Sequence, residues 1–143
     1  MTVMFLNGTA MLGMRDYHNH RGSKFLDTVY TAPAYRFLAV RDEFPGLYPT
    51  QIEGFGRRIE GELHDIPDDV LTLTLLPSEP EELEFGHVVL SDGTTVRGML
   101  LMPSRLTNGD KVTDISDIGG FRRYLKYLES NSGRWWSNSP DPL

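Results

Sequence analysis

Asn7-Gly8-Thr9-Ala10-Met11 is the first stretch whose backbone could do chemistry. Asparagine and glycine tolerate conformations that branched residues avoid, so successive N–H groups there can turn toward one point and hold a small carboxylate. The same spacing also makes a tight strand-to-helix turn with no ligand. Further on, His18 and His20 stand two residues apart, which on a helix sends them to different faces and gives no helical metal site. They read as a solvated pair, or as a pair with one imidazole at a pocket rim. Tyr35 and Arg36 open a strand-like run on opposite faces. Tyr35 is the better placed to touch a pocket, while Arg36 suits either a substrate carboxylate or a solvated sheet face. The last chemical cluster is the acidic run Ser78-Glu79-Pro80-Glu81-Glu82-Leu83-Glu84, which by itself reads as four solvated carboxylates.

The elements that must position these groups follow from patterning. Val3 to Leu6 is an apolar run that reads as a buried strand emptying into the glycine-punctuated loop. Residues 15–22 read as a short helix or irregular connection that Gly22 terminates. Phe25 to Tyr30 and Tyr35 to Val40 are strands with Pro33 at the bend between them. Asp42 to Phe55 is rich in turn formers and is expected to be a surface loop holding one short strand around Leu47 to Ile52. Its aromatics Phe44, Tyr48 and Phe55 either cover a pocket or seal the core. Arg57 to Ile66 alternates as a strand, and Gly61 within it implies that something approaches closely. Pro67-Asp68-Asp69 starts a helix that Pro77 is expected to stop. Phe85 to Leu90 and Val96 to Met102 pair as a hairpin about Asp92-Gly93. Asp114 or Ser116 caps a last helix reaching about Leu128, after which residues 131–143 form a polar tail carrying Trp135-Trp136.

A chain of 143 residues fits one domain able to bury a core without staples. It has no cysteine, so disulfides and thiolate chemistry are excluded. Fourteen basic against twenty acidic side chains, net −6, argue against a nucleic-acid partner. Met1 to Leu6 is too short for a secretory signal, and no run approaches the ~20 apolar residues of a membrane span, so a cytoplasmic location is expected.

Asn7 to Gly13 resembles the glycine loop that opens gamma-glutamylcyclotransferase-like proteins, and Gly61-Glu62-Leu63 resembles a later strand of that superfamily. A closer resemblance is to the allophanate hydrolase C-terminal domain, a member of the same superfamily. It is carried in order by Gly8 to Met14 with His18, by Thr31-Ala32-Pro33-Ala34-Tyr35-Arg36, by Leu90-Ser91-Asp92-Gly93 with Val96-Arg97-Gly98-Met99, and by Gly119-Gly120-Phe121-Arg122-Arg123-Tyr124-Leu125. The chain departs from that pattern at Ala10, where a histidine tends to stand.

The resemblance implies a single α+β domain over residues 1–130, a small mixed β-barrel with flanking helices, needing no cofactor and no metal. It implies a small urea-derived carboxylate as substrate or ligand, with Asn7, Gly8, Thr9, Ala10, Met11 and Gly61 lining its site and His18 or Tyr35 carrying the proton. An amidase is the implied partner. The wider superfamily implies a second chemistry, closure of a γ-glutamyl substrate to a lactam, in which Glu79 is the residue closest in spacing to the general base. A third reading keeps the pocket for sensing or scaffolding without turnover.

Overall fold

The computed structural model describes the backbone of residues 1–138 and the side chains of residues 1–130. The architecture is α+β. Strand β1 (Thr2–Leu6) lies in the middle of a five-stranded mixed sheet, between β5 (Glu60–Ile66) and β7 (Thr95–Leu101). It runs antiparallel to β5 and parallel to β7. The outer strands of this sheet are β2 (Lys24–Tyr30) and β6 (Leu83–Val89). Covered on both faces, β1 shows no alternation: Met4, Phe5 and Leu6 are all buried.

The two outer strands meet at one end. Ala32 N–H donates to the Val89 carbonyl and Ser91 N–H to the Tyr30 carbonyl, both at 2.9 Å, around a bridge between Thr31 and Leu90. The sheet therefore curls round Phe5, Ile59, Val88 and Leu90. A second sheet has the order β4-β3-β8, with β3 (Tyr35–Val40) between β4 (Phe44–Pro49) and β8 (Val112–Asp114). Val40 and Phe44 from this sheet pack on Leu101 of β7, which joins the two layers.

Three local outcomes differ from sequence expectation. Phe44-Pro45-Gly46 belongs to β4 and not to a loop, because β4 is an edge strand and its prolines need donate no ladder bond. The first helix does not stop before Pro77. It runs as Asp68–Val70, a π turn over Leu71–Leu75, and Leu76–Ser78. The wider turn spreads the carbonyls that the proline ring would otherwise strike. The C-terminal helix spans Phe121–Asn138, longer than expected and starting later. Asp114 and Ser116 cap nothing; Ser116 hydroxyl and amide both donate to the Asp114 carboxylate in a local turn. The side chains of Trp135 and Trp136 lie outside the described residues.

The β3–β4 connection is unusual in placing two non-glycine residues in the left-handed region, Arg41 at φ 53° and Asp42 at φ 57°. Side-chain bonds hold both. Arg41 pairs with Glu43, Glu82 and Asp110 at 2.9–3.1 Å, and Asp42 accepts from Lys111 and from the Tyr124 hydroxyl.

The close approach expected at Gly61 is made by the core. A Cβ there would lie 2.4 Å from Cζ of Phe5 and 2.7 Å from the Leu6 carbonyl oxygen, so the space is already filled by the core. Gly61→Ala should therefore cost about 1–3 kcal/mol. A denaturant titration checks this, and an unchanged midpoint would mean that Phe5 can move aside freely.

Candidate functional site

The loop after β1 turns because Gly8 lets it pass β4 at close range: a Cβ on Gly8 would sit 2.8 Å from Cδ of Pro45. Two backbone bonds close the loop on itself. Met11 N–H turns back to the Gly8 carbonyl at 3.1 Å, and Asp16 N–H closes the loop on the Thr9 carbonyl at 2.8 Å. Met11 therefore does not present its amide to the hollow. Asn7, Gly8, Thr9 and Ala10 do line one, together with Phe44, Pro45, Glu79, Pro80 and Met99.

This inner hollow is about 30 Å³, room for a water or two. It abuts a larger cleft of about 350 Å³, a size suited to a small ligand. Thr9, Phe44, Glu79 and Pro80 line both, so Glu79 stands at their boundary. Its placement follows from the chain. Ser78 ends the first helix, and Pro80 disfavours helical geometry in the residue before it. Glu79 accordingly adopts φ −73°, ψ 148° and leaves the helical path. Burial, reinforced by the neighbouring Asp16 carboxylate, pushes its pKa up to about 7. At neutral pH this partly buried carboxyl can both give and take a proton.

The outer cleft has a mixed wall. Arg15 and Arg41 face Asp16, Glu43, Glu81 and Glu82. Both cations are engaged: Arg15 pairs with Asp16 at 3.4 Å and donates to the Glu43 carbonyl, and Arg41 holds its three carboxylates.

The remaining sequence candidates lie elsewhere. His18 is exposed, with Nδ1 3.0 Å from the Arg15 carbonyl, and lines neither hollow. His20 is not its solvated companion but fully buried, donating from Nε2 to the Ala10 carbonyl at 2.6 Å. Burial holds its pKa below the ordinary value. Tyr35 is buried, and its hydroxyl accepts from Val89 N–H at 2.9 Å. Arg36 is committed to Asp114 at 2.6 Å and lies 3.9 Å over the Phe55 ring. Of the three residues considered as proton carriers, the structure brings only Glu79 to the Asn7–Ala10 loop. Asp16 is a cleft residue that spacing did not single out, since it reaches the cleft from a segment read as a connection, whereas Phe44, one of the aromatics expected to cover a pocket or seal the core, is buried and lines both hollows. Among the described residues, no group of three or more His, Cys, Asp or Glu could hold a metal ion, and no helix is long and apolar enough to cross a membrane.

The family model for the allophanate hydrolase C-terminal domain matches residues 2–126. The chain belongs to this family. Among solved structures, the chain is similar to c4763, a uropathogenic E. coli-specific protein, at 30% identity and a TM-score of 0.77, covering 87% of this chain and 95% of that one. Kluyveromyces lactis allophanate hydrolase matches at 22% identity and a TM-score of 0.79. That match covers 89% of this chain but only 21% of the yeast enzyme. An AIG2-like protein from Mus musculus shares the fold at 16% identity and a TM-score of 0.53, with 76% and 80% coverage of the two chains. Among curated proteins no significant match was found. Membership of the family fixes the fold of this allophanate hydrolase C-terminal domain and leaves its chemistry to the residues of the cleft.

Proposed function

We propose that this allophanate hydrolase C-terminal domain protonates the nitrogen of a small urea-derived carboxylate, with Glu79 as the acid. The carrying observation is the position of Glu79 between the Asn7–Ala10 loop and the outer cleft, with its pKa near neutrality. The substrate is N-carboxycarbamate, the product of deaminating allophanate. Its C–N bond breaks to release carbon dioxide, the electron pair stays on nitrogen, and the Glu79 carboxyl supplies the proton, leaving carbamate. Reprotonated from water, Glu79 serves the second step in the same way, and carbamate gives ammonia and carbon dioxide. The Asn7–Ala10 loop contacts the substrate carboxylate, and an amidase supplies the substrate.

The test couples the purified chain to an allophanate-deaminating amidase and follows ammonia and carbon dioxide release above the uncatalysed rate. Acceleration that Glu79→Gln abolishes supports the proposal. No acceleration with several such amidases overturns it.

One observation favours a second reading. Besides Glu79, the outer cleft sets four carboxylates against two guanidiniums, a wall better suited to an ammonium-bearing substrate than to a dianion. Ionised Glu79 would then take a proton from the α-ammonium of a γ-glutamyl substrate. The freed amine attacks the γ-carbonyl, Glu79 returns its proton to the departing amine as the C–N bond breaks, and the ring nitrogen gives up its second proton to the re-ionised Glu79, which passes it to the released amine as a five-membered lactam closes. Formation of 5-oxoproline from γ-glutamyl substrates, with none of the ammonia release above, selects this reading.

A further inference from the structure

A buried polar cluster behind the loop takes no part in the chemistry above. Glu62 of β5 is almost fully buried, and both its oxygens are used. Oε1 accepts from Leu12 N–H at 2.8 Å and from His64 Nε2 at 3.0 Å, while Oε2 accepts from Arg122 Nη2 at 2.9 Å. That same Arg122 nitrogen donates to the Leu12 carbonyl at 3.0 Å. One peptide residue is thus gripped on both its N–H and its C=O by a carboxylate–guanidinium pair whose members also bind each other. His20, in ring contact with His64 at 5.1 Å, fixes the Ala10 carbonyl two residues upstream. A second small hollow, about 60 Å³, is lined by Met11, Glu62 and Arg122, so next to the core contacts of Ala10 and Met11 the polar side chains are the loop's other support.

We propose that Glu62 and Arg122 are positioning residues that clamp Leu12 and thereby hold the Asn7–Ala10 wall against Glu79, limiting solvent access to its carboxyl. Strand β5 supplies the acid and the first turn of the C-terminal helix supplies the base, so the loop's shape is set by two elements distant in sequence. A charged pair with its carboxylate buried, sharing its hydrogen bonds with a backbone residue, is a stiffer tether than a neutral contact. The proposal rests on Glu79 being the working group of the cleft, but it can be tested without any substrate.

The experiment compares wild type with Arg122→Ala and Arg122→Lys. Arg122 is 43% exposed, so the fold should survive its truncation, and Arg122→Gln is the alternative if it does not. Two signals are read: hydrogen exchange at Leu12 relative to β1 and β5 amides, and the NMR titration of the Glu79 carboxyl carbon. Truncation should speed Leu12 exchange about tenfold with the strands unaffected, and should move the Glu79 midpoint at least one pH unit down, toward its ordinary value of 4.5, as water enters. Lysine, which keeps a charge for Glu62, should restore much of both. A Glu79 midpoint that stays put in the truncated protein overturns the proposal, whatever Leu12 does. Failure of every candidate substrate would instead sink the proposed reaction and leave this titration result standing.

Discussion

Glu79→Gln should abolish most turnover while making the protein more stable above neutral pH. Loss of a positioned acid or base typically costs 10²- to 10⁴-fold in rate, and no other described ionisable group lines both the inner hollow and the outer cleft. The stability effect has a definite sign. The folded-state pKa of about 7 lies above the ordinary 4.5, so the folded chain holds the proton more tightly than the unfolded chain does. Below pH 4.5 the group is protonated in both states and costs nothing. Between the two values the unfolded state ionises first, and stability falls as pH rises. Above about 7 the full penalty is present, on the order of 2 kcal/mol once partial solvent access is allowed for. Glutamine removes that penalty without removing the side chain's volume. At pH 8 the variant should melt several degrees higher than wild type, and at pH 4 the two should coincide. Lower stability at both pH values would show that the substitution damages packing, and the activity loss could then not be assigned to proton transfer.

The direction of the pH–rate limb should separate the two chemistries. If Glu79 works as an acid on a urea-derived nitrogen, kcat/KM falls about tenfold per pH unit above a midpoint near 7, because the carboxyl form disappears. If it works as the base of lactam closure, the same midpoint appears with the opposite slope, and activity falls toward acid. Asp16 provides an internal check, since its charge helps to raise the Glu79 pKa. Asp16→Asn should carry the midpoint downward in either case. A limb that ignores both Asp16→Asn and Glu79→Gln belongs to another group and removes Glu79 from the mechanism.

Local signals reached some parts of this molecule and not others. Val3 to Leu6 and the Asp92-Gly93 hairpin were legible because an apolar run and a turn pair act over a few residues; Asp92 does receive the Thr94 amide at 2.9 Å. The Phe44–Pro49 strand was legible only from Leu47 onward, because Pro45 and Gly46 read as turn formers unless it is known that the strand is an edge. His20 carries no local mark of burial. Its surroundings come from Tyr17 beside it and His64 across the fold, which periodicity over residues 15–22 cannot reveal. Glu79 was one of four acids in seven residues, equivalent by composition. What distinguishes it is Pro80, which denies it helical geometry at the end of the first helix, and that constraint is written in the sequence. Gly61 was legible as a close approach, but whether a ligand or Phe5 fills the gap depends on β1 lying alongside.

The Arg41–Asp42 turn leaves this cleft with a built-in trade. L-residues in the left-handed region cost about 1 kcal/mol each, and of the side chains that offset that cost Arg41, Glu43 and Glu82 also furnish one bank of the opening. Glycine at either position would relax the chain, yet it would erase the guanidinium that gathers Glu43, Glu82 and Asp110, or the carboxylate that receives Tyr124. The backbone's easiest sequence and the one that shapes the mouth of the cleft are different sequences, and the native chain has kept the harder of the two.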